Sequence, residues 1–126
     1  MPISFARPDA DLFDRRAQAE ARKVALCDDR PKRENNPTQL RRFYDEIVLW
    51  DTRVAQQPER FGEFLPIIRM LNAKAAYAQG RKLVDRDFVE LLRETLAEVK
   101  DPASMSTCKH FWEAFMGFYK LERPKD

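Results

Sequence analysis

Between its prolines the chain repeats apolar residues at the spacing of one helix face. After Asn36, the residues Leu40, Phe43, Tyr44, Ile47 and Val54 fall on one side of a helix. Asn36 suits the cap, Pro37 the first helical position, and Gln39 can return the cap. A second stripe, Phe64, Ile67, Ile68, Leu71 and Ala75, belongs to a helix that ends at Gly80, the expected left-handed terminal residue. Asp85 is the predicted cap of the next helix, with Val84 and Val89 as a hydrophobic staple and Phe88, Leu92, Leu96 and Val99 buried. On the last helix Cys108, Phe111, Trp112, Phe115 and Tyr119 turn inward, and Gly117 marks a place for another backbone to pass close. An Ala-rich helix over Asp11 to Cys27, with Phe13, Ala17, Ala21 and Val24 on one face, has the least apolar area to hold it down.

The pattern predicts an all-α bundle of about five helices joined by short loops. Three glycines and no Asn-Gly or Asp-Gly pair argue against a β protein. At 126 residues the chain is one domain, read as an N-terminal extension with the weak helix (1–35) and a helical core (36–126). With 44% apolar and 35% charged residues the composition is that of a soluble globular protein. Cys27 and Cys108 are isolated, which fits a reducing cytoplasmic setting and neither a disulfide framework nor a zinc knuckle. The opening residues MPISFARPDADLFDRR contain no signal-like apolar run, and no stretch is long enough to span a membrane.

Catalytic material is sparse. His110 is the single histidine, and Cys108, two positions away, points elsewhere on a helix. Metal ligands at workable spacing are missing, as is a glycine-rich phosphate loop, so neither a catalytic residue nor a cofactor is assigned. Asp87, Glu90, Glu94 and Glu98 form an acidic stripe, either a solvated face or a surface for a basic neighbour.

The net charge of +2 hides an uneven distribution. From Phe64 to Val84 the chain carries Arg69, Lys74, Arg81 and Lys82 and no acid of its own. Met70, Lys74, Tyr77 and Arg81 follow one another at i, i+4, i+7 and i+11, along one side of a helix. Arg41 and Arg42 stand in the first turns of the preceding helix, whose positive end reinforces them. These cations could track a sugar-phosphate backbone without reading sequence, or they are a solvated helix face.

The segments QLRRFYDEI, LPIIRMLNAKAAYAQGR and FWEAFMGFYK, in this order, resemble the small helical subunit of type III-A CRISPR effector complexes, the Csm complexes. The likeness runs from about Gln39 to Tyr119 and is strongest at Phe43, Tyr44 and the Lys74, Tyr77, Gly80, Arg81 run. It implies a non-catalytic subunit stacked in several copies along a ribonucleoprotein filament, with backbone and large subunits, crRNA and target RNA as partners. On that resemblance Arg41, Arg42, Lys74 and Arg81 are the nucleic-acid contacts, with Arg69 and Lys109 as secondary candidates. Two alternatives stand beside it, a helical protein-interaction adaptor that binds no nucleic acid and the small subunit of a type III-B complex.

Overall fold

A computed structural model describes residues 2–124. Its elements in chain order are α1 (Arg15–Ala25), a hairpin of β1 (Leu26–Cys27) and β2 (Arg30–Pro31), α2 (Pro37–Gln56), a 3-10 turn (Pro58–Arg60), α3 (Phe61–Arg69), α4 (Leu71–Gly80), α5 (Arg86–Ala97) and α6 (Pro102–Glu122). The fold is all-α.

The longest helix, α6, organises the rest. Asp101 starts it with a capping box: its carboxylate accepts the Ser104 N–H at 2.7 Å and the Ser104 hydroxyl accepts the Asp101 N–H at 3.0 Å. Met105, Cys108, Phe111, Trp112, Phe115 and Tyr119 are all buried along one face. Trp112 joins this row to α5, stacking edge-on to Phe88 at 5.8 Å and donating its indole N–H to Thr95 Oγ1 at 3.1 Å. The buried Thr95 hydroxyl in turn donates to the Leu92 carbonyl at 2.9 Å, so no member of this polar chain is left unpaired.

Helix α1 packs on α6 through Ala17, Ala21, Val24 and Ala25, each fully buried. The alanines compensate for their small area by letting the helix axes approach closely. Ahead of α1, Ile3 and Phe5 also enter the core, Phe5 lying 6.1 Å from the Phe111 ring. Their backbone N–H groups donate to Glu94 at 3.1 Å and to Glu98 at 3.2 Å. The expected acidic stripe of α5 is therefore largely turned to internal use. Glu94 also meets Arg16, Asp87 meets Lys32 at 2.7 Å, and Glu90 lies 3.7 Å from Arg86.

Asn35, wholly buried and held at φ 63°, ties four regions together. Its amide donates to the Val24 carbonyl at 3.0 Å and to Asp85 at 2.7 Å, and its side-chain oxygen accepts the Asp85 N–H at 2.8 Å. The Tyr119 hydroxyl donates to its carbonyl at 2.5 Å. Asparagine tolerates the left-handed region at low cost, so one residue supplies both the turn and the bonds. Asp85 caps α5 as expected, accepting the Phe88 N–H at 3.2 Å, and also binds Lys32 at 2.6 Å.

Several expectations change. Gly80 is not left-handed. Lys82 takes that role at φ 62°, and the Leu83 N–H to Ala78 carbonyl and Lys82 N–H to Gln79 carbonyl bonds, both 2.9 Å, complete a Schellman closure two residues later. Gly117 has open space around it rather than a neighbouring backbone. The stretch read as one helix from Phe64 to Gly80 starts earlier, at Phe61, and is interrupted at Met70. There the N–H is shared between the Pro66 and Ile67 carbonyls at 3.1 and 3.2 Å, a local tightening. Within α3, Phe61, Phe64 and Ile68 face the core at i, i+3 and i+7, which leaves Ile67 on the outer side, 45% exposed. Phe13 precedes α1 and does not share its register; it is 40% exposed, 6.0 Å from the His110 ring. The hairpin was unmarked because its two-residue turn is Asp28-Asp29, at φ 52° and 63°, in place of the usual glycine-containing pair.

Candidate nucleic-acid interface

Side chains from α2 meet those of α3 and α4 along an exposed edge. Asn36 Oδ1 accepts the Gln39 N–H at 3.0 Å and Pro37 occupies the first position, which fixes where α2 begins and puts Arg41 and Arg42 one turn in. Arg42 and Lys74 line a shared depression with Gln39, Phe43, Glu46 and Ala78. Farther along, Trp50 and Phe64 pack 5.5 Å apart, so α2 runs antiparallel to α3 and α4. Arg42 also borders a hollow at the start of α2, shared with Arg41, Thr38 and, from α6, Lys120.

The cations are not equivalent. Arg42 and Arg81 are exposed and have no carboxylate partner among the described residues. Arg81 rests over the Tyr77 ring at 5.9 Å and, as the residue that follows α4, three beyond Ala78, continues the same edge. Arg41 lies 5.9 Å from the Tyr44 ring and pairs with Asp45 at 3.2 Å. Lys74 binds both Glu46 oxygens, at 2.9 and 3.1 Å. The absence of acids within residues 64–84 thus did not leave Lys74 unanswered, because the acid comes from α2. Arg69 points elsewhere, donating to the Val99 carbonyl at 3.3 Å beyond the end of α5. Lys109 pairs with Glu113 at 3.3 Å on α6. The edge therefore gathers Arg41, Arg42, Lys74 and Arg81, and Arg69 and Lys109 stand outside it. Lys120 joins the edge across α6, and no periodicity within one helix could have shown it.

Among the described residues no group of three or more His, Cys, Asp or Glu is placed to hold a metal ion. Burial drives the Cys108 thiol far above its ordinary pKa, with the nearby Asp51 charge adding to the effect, so no thiolate forms near neutral pH. His110 is exposed, its Nδ1–H donating to the Ser106 carbonyl at 2.8 Å. No helix among the described residues is long and apolar enough to cross a membrane.

Fold and surface together define a small all-helical protein whose distinctive chemistry is a partly neutralised cationic edge. The family profile described as Csm2 Type III-A matches residues 11–125, and the chain belongs to that family. It is thus a small subunit of a type III-A CRISPR complex, associated with the other Csm subunits. The match begins ahead of α1 and so includes residues outside those that carried the sequence resemblance. No curated protein and no solved structure matches the chain significantly.

Proposed function

We propose that this chain is a non-catalytic subunit that helps hold the paired crRNA and target RNA, using the α2–α4 edge against the sugar-phosphate backbone, in the cytoplasm. The observation that carries the reading is Arg42 and Arg81 standing exposed and without a carboxylate partner among the described residues on one edge, with Lys120 adjoining. Guide and target supply specificity by base pairing, so such a subunit needs only to favour backbone charge and duplex geometry. Two or three phosphate contacts per copy are individually weak, and stacking several copies along a filament multiplies them through effective concentration. Glu94 and Glu98 are already bonded to the chain's own N-terminal residues. A head-to-tail contact between copies then leans on shape more than on the α5 carboxylates.

The test is RNA affinity against salt for Arg42→Glu and Arg81→Glu. Each reversal should weaken binding across all sequences and reduce the log-log salt slope by about one. Unchanged slopes would remove the edge from the interface. One feature favours a second reading, docking of a protein partner by this face. Leu49, Ile67, Met70 and Tyr77 are 44 to 61% exposed beside paired charges, and Met, Tyr and Arg are enriched at protein interfaces. Under that reading RNA binding is absent and Met70→Asp abolishes co-purification with the other subunits.

A further inference from the structure

The far end of α2 carries a hollow that no sequence pattern marked. Open to solvent on one side, it measures about 470 Å³ between the last turns of α2, the 3-10 turn and α3, a volume within the range of small-ligand pockets. Its floor is the Trp50 and Phe64 pair, only 9% and 8% exposed, and a guanidinium covers each ring, Arg53 at 4.9 Å from Trp50 and Arg60 at 5.1 Å from Phe64. Arg60 is held in place by Glu63 at 2.6 Å and by Gln57 Oε1 at 2.8 Å.

Arg53 has no such partner. Its guanidinium is exposed, oriented by the indole, and without a carboxylate among the described residues. One face and five edge N–H donors remain available. Gln56 also lines the hollow and its amide makes no side-chain hydrogen bond among the described residues. Ile67 adds an apolar rim. Arg53 and Arg60 against Glu63 leave one net positive charge.

We propose that this hollow receives one unpaired nucleotide of a single-stranded nucleic acid, the base lying on the Arg53 guanidinium and the phosphate meeting its edge. The inference rests on the nucleic-acid reading above and assigns a second site to it. A carboxylate would use only the edge of Arg53. A nucleotide uses the edge for phosphate, the outer face for stacking, and the Gln56 amide, donor and acceptor together, for the base edge. The geometry along α2 agrees, since Arg42, Glu46, Leu49 and Arg53 fall at i, i+4, i+7 and i+11. That separates Arg42 from Arg53 by about 16 Å along one face. Between them the Lys74–Glu46 pair and Leu49 contribute no net charge, so a strand along α2 is gripped at both ends.

Trp50 is the reporter. The chain has two tryptophans, Trp112 is 2% exposed in the core, and the Trp50→Phe variant identifies the signal from Trp50. The full chain is titrated with a uridine hexaribonucleotide, an abasic oligomer of equal phosphate count, inorganic phosphate and an oligo-aspartate peptide. Trp50 emission should respond to the base-bearing oligomer alone. Arg53→Lys, which keeps the charge and loses the stacking plane, should weaken that response roughly tenfold while leaving the salt slope unchanged. An equal response to the abasic oligomer, phosphate or oligo-aspartate overturns the proposal, as does a silent Trp50 at millimolar oligomer. Its failure is separable from that of the backbone reading. A silent Trp50, with salt-dependent binding still lost on Arg42→Glu or Arg81→Glu, removes the hollow and keeps the edge. A responsive Trp50 with unaltered slopes in those variants keeps the hollow and removes the edge.

Discussion

The two sides of α2 and α6 are built on opposite terms. On the α1–α6 side, four small side chains of α1 are fully buried and the turn at Asn35 has its polar groups paired. On the α2–α4 side, the helices leave hollows between them, four large apolar side chains stand 44 to 61% exposed, and cations either pair across the surface or rest on aromatic rings. Close packing concentrates folding free energy in the α1–α6 contact. The open edge gives up that packing and keeps accessible donors and apolar area for a partner. Substitutions should therefore be costly in stability on the first side and nearly silent on the second, where they alter binding.

The largest effect is expected at Asn35. Asn35→Ala removes the bonds to the Val24 carbonyl and to both Asp85 groups, and leaves a residue with a Cβ at φ 63°. Buried partners lose their acceptor or donor together, which costs roughly 3 kcal/mol. Urea denaturation should show the midpoint falling by that equivalent at unchanged slope. A loss below about 1 kcal/mol would mean that the turn is not what joins α1, α5 and α6.

Next is a matched pair of small-to-large changes. Ala21→Leu pushes three carbon atoms into the α1–α6 contact, where the alanine is fully buried. Overpacking of this kind costs about 1 to 3 kcal/mol. Ala73→Leu places the same atoms beside Met70, Lys74 and Tyr77, where the residue is exposed, and should stay within about 0.5 kcal/mol. Equal losses in thermal unfolding would erase the distinction between the two sides.

A smaller effect comes through acid. Burial alone would raise the Asp85 carboxyl, but hydrogen bonds from Asn35, Lys32 and the Phe88 N–H, with the Lys32 charge, outweigh it and hold the carboxyl below its ordinary 3.8. Its contribution is complete above that ordinary value and is lost as pH falls through the lower folded one. Lys32 is raised above 10.5; burial opposes its charge, yet Asp85 and Asp87 prevail, so its contribution fades only as pH climbs past the folded value. Asp51 acts oppositely. Burial raises its carboxyl against the lowering pull of Lys109 and His110, so protonating it as pH falls toward 3.8 favours the folded chain. The denaturation midpoint should be flat around neutrality and fall at the acid end, and Asp85→Asn should flatten that acid limb. An unaltered limb would assign acid sensitivity to other carboxylates.

How far the sequence could be read follows from the range of the forces involved. Helix faces, caps and the buried row of α6 rest on contacts within a few residues, and Asn36, Asp85 and the Cys108 to Tyr119 row are where the spacing placed them. Asn35 was invisible because its partners, Val24, Asp85 and Tyr119, are brought together only by the fold. The same holds for the edge. Arg41, Arg42, Lys74 and Arg81 were legible as cations at helical spacing, but Glu46 neutralising Lys74 crosses from another helix. Trp50 and Arg53 escaped notice because an aromatic and an arginine three apart look like any helix surface until the hollow beside them is seen.

The smallest structural change carries the sharpest functional reading. Glu46→Gln keeps the shape of its side chain and removes the carboxylate that holds Lys74, 49% exposed, at 2.9 Å. Exposed pairs of this kind contribute at most about 1 kcal/mol, so folding should be almost unaffected. The freed ammonium lies in the depression it shares with Arg42. If RNA lies along this edge, binding at low salt tightens and the salt slope steepens by up to about one contact. If Lys74 only fastens α2 to α4, the variant loses a little stability and gains no affinity. Lys74→Gln completes the comparison, because in the Glu46→Gln background it should abolish the gain, whereas in the wild-type chain it leaves Glu46 unpaired and repels the backbone. Failure of that non-additivity in a double-mutant cycle would remove Lys74 from the backbone contacts and leave Arg41, Arg42 and Arg81 of the four.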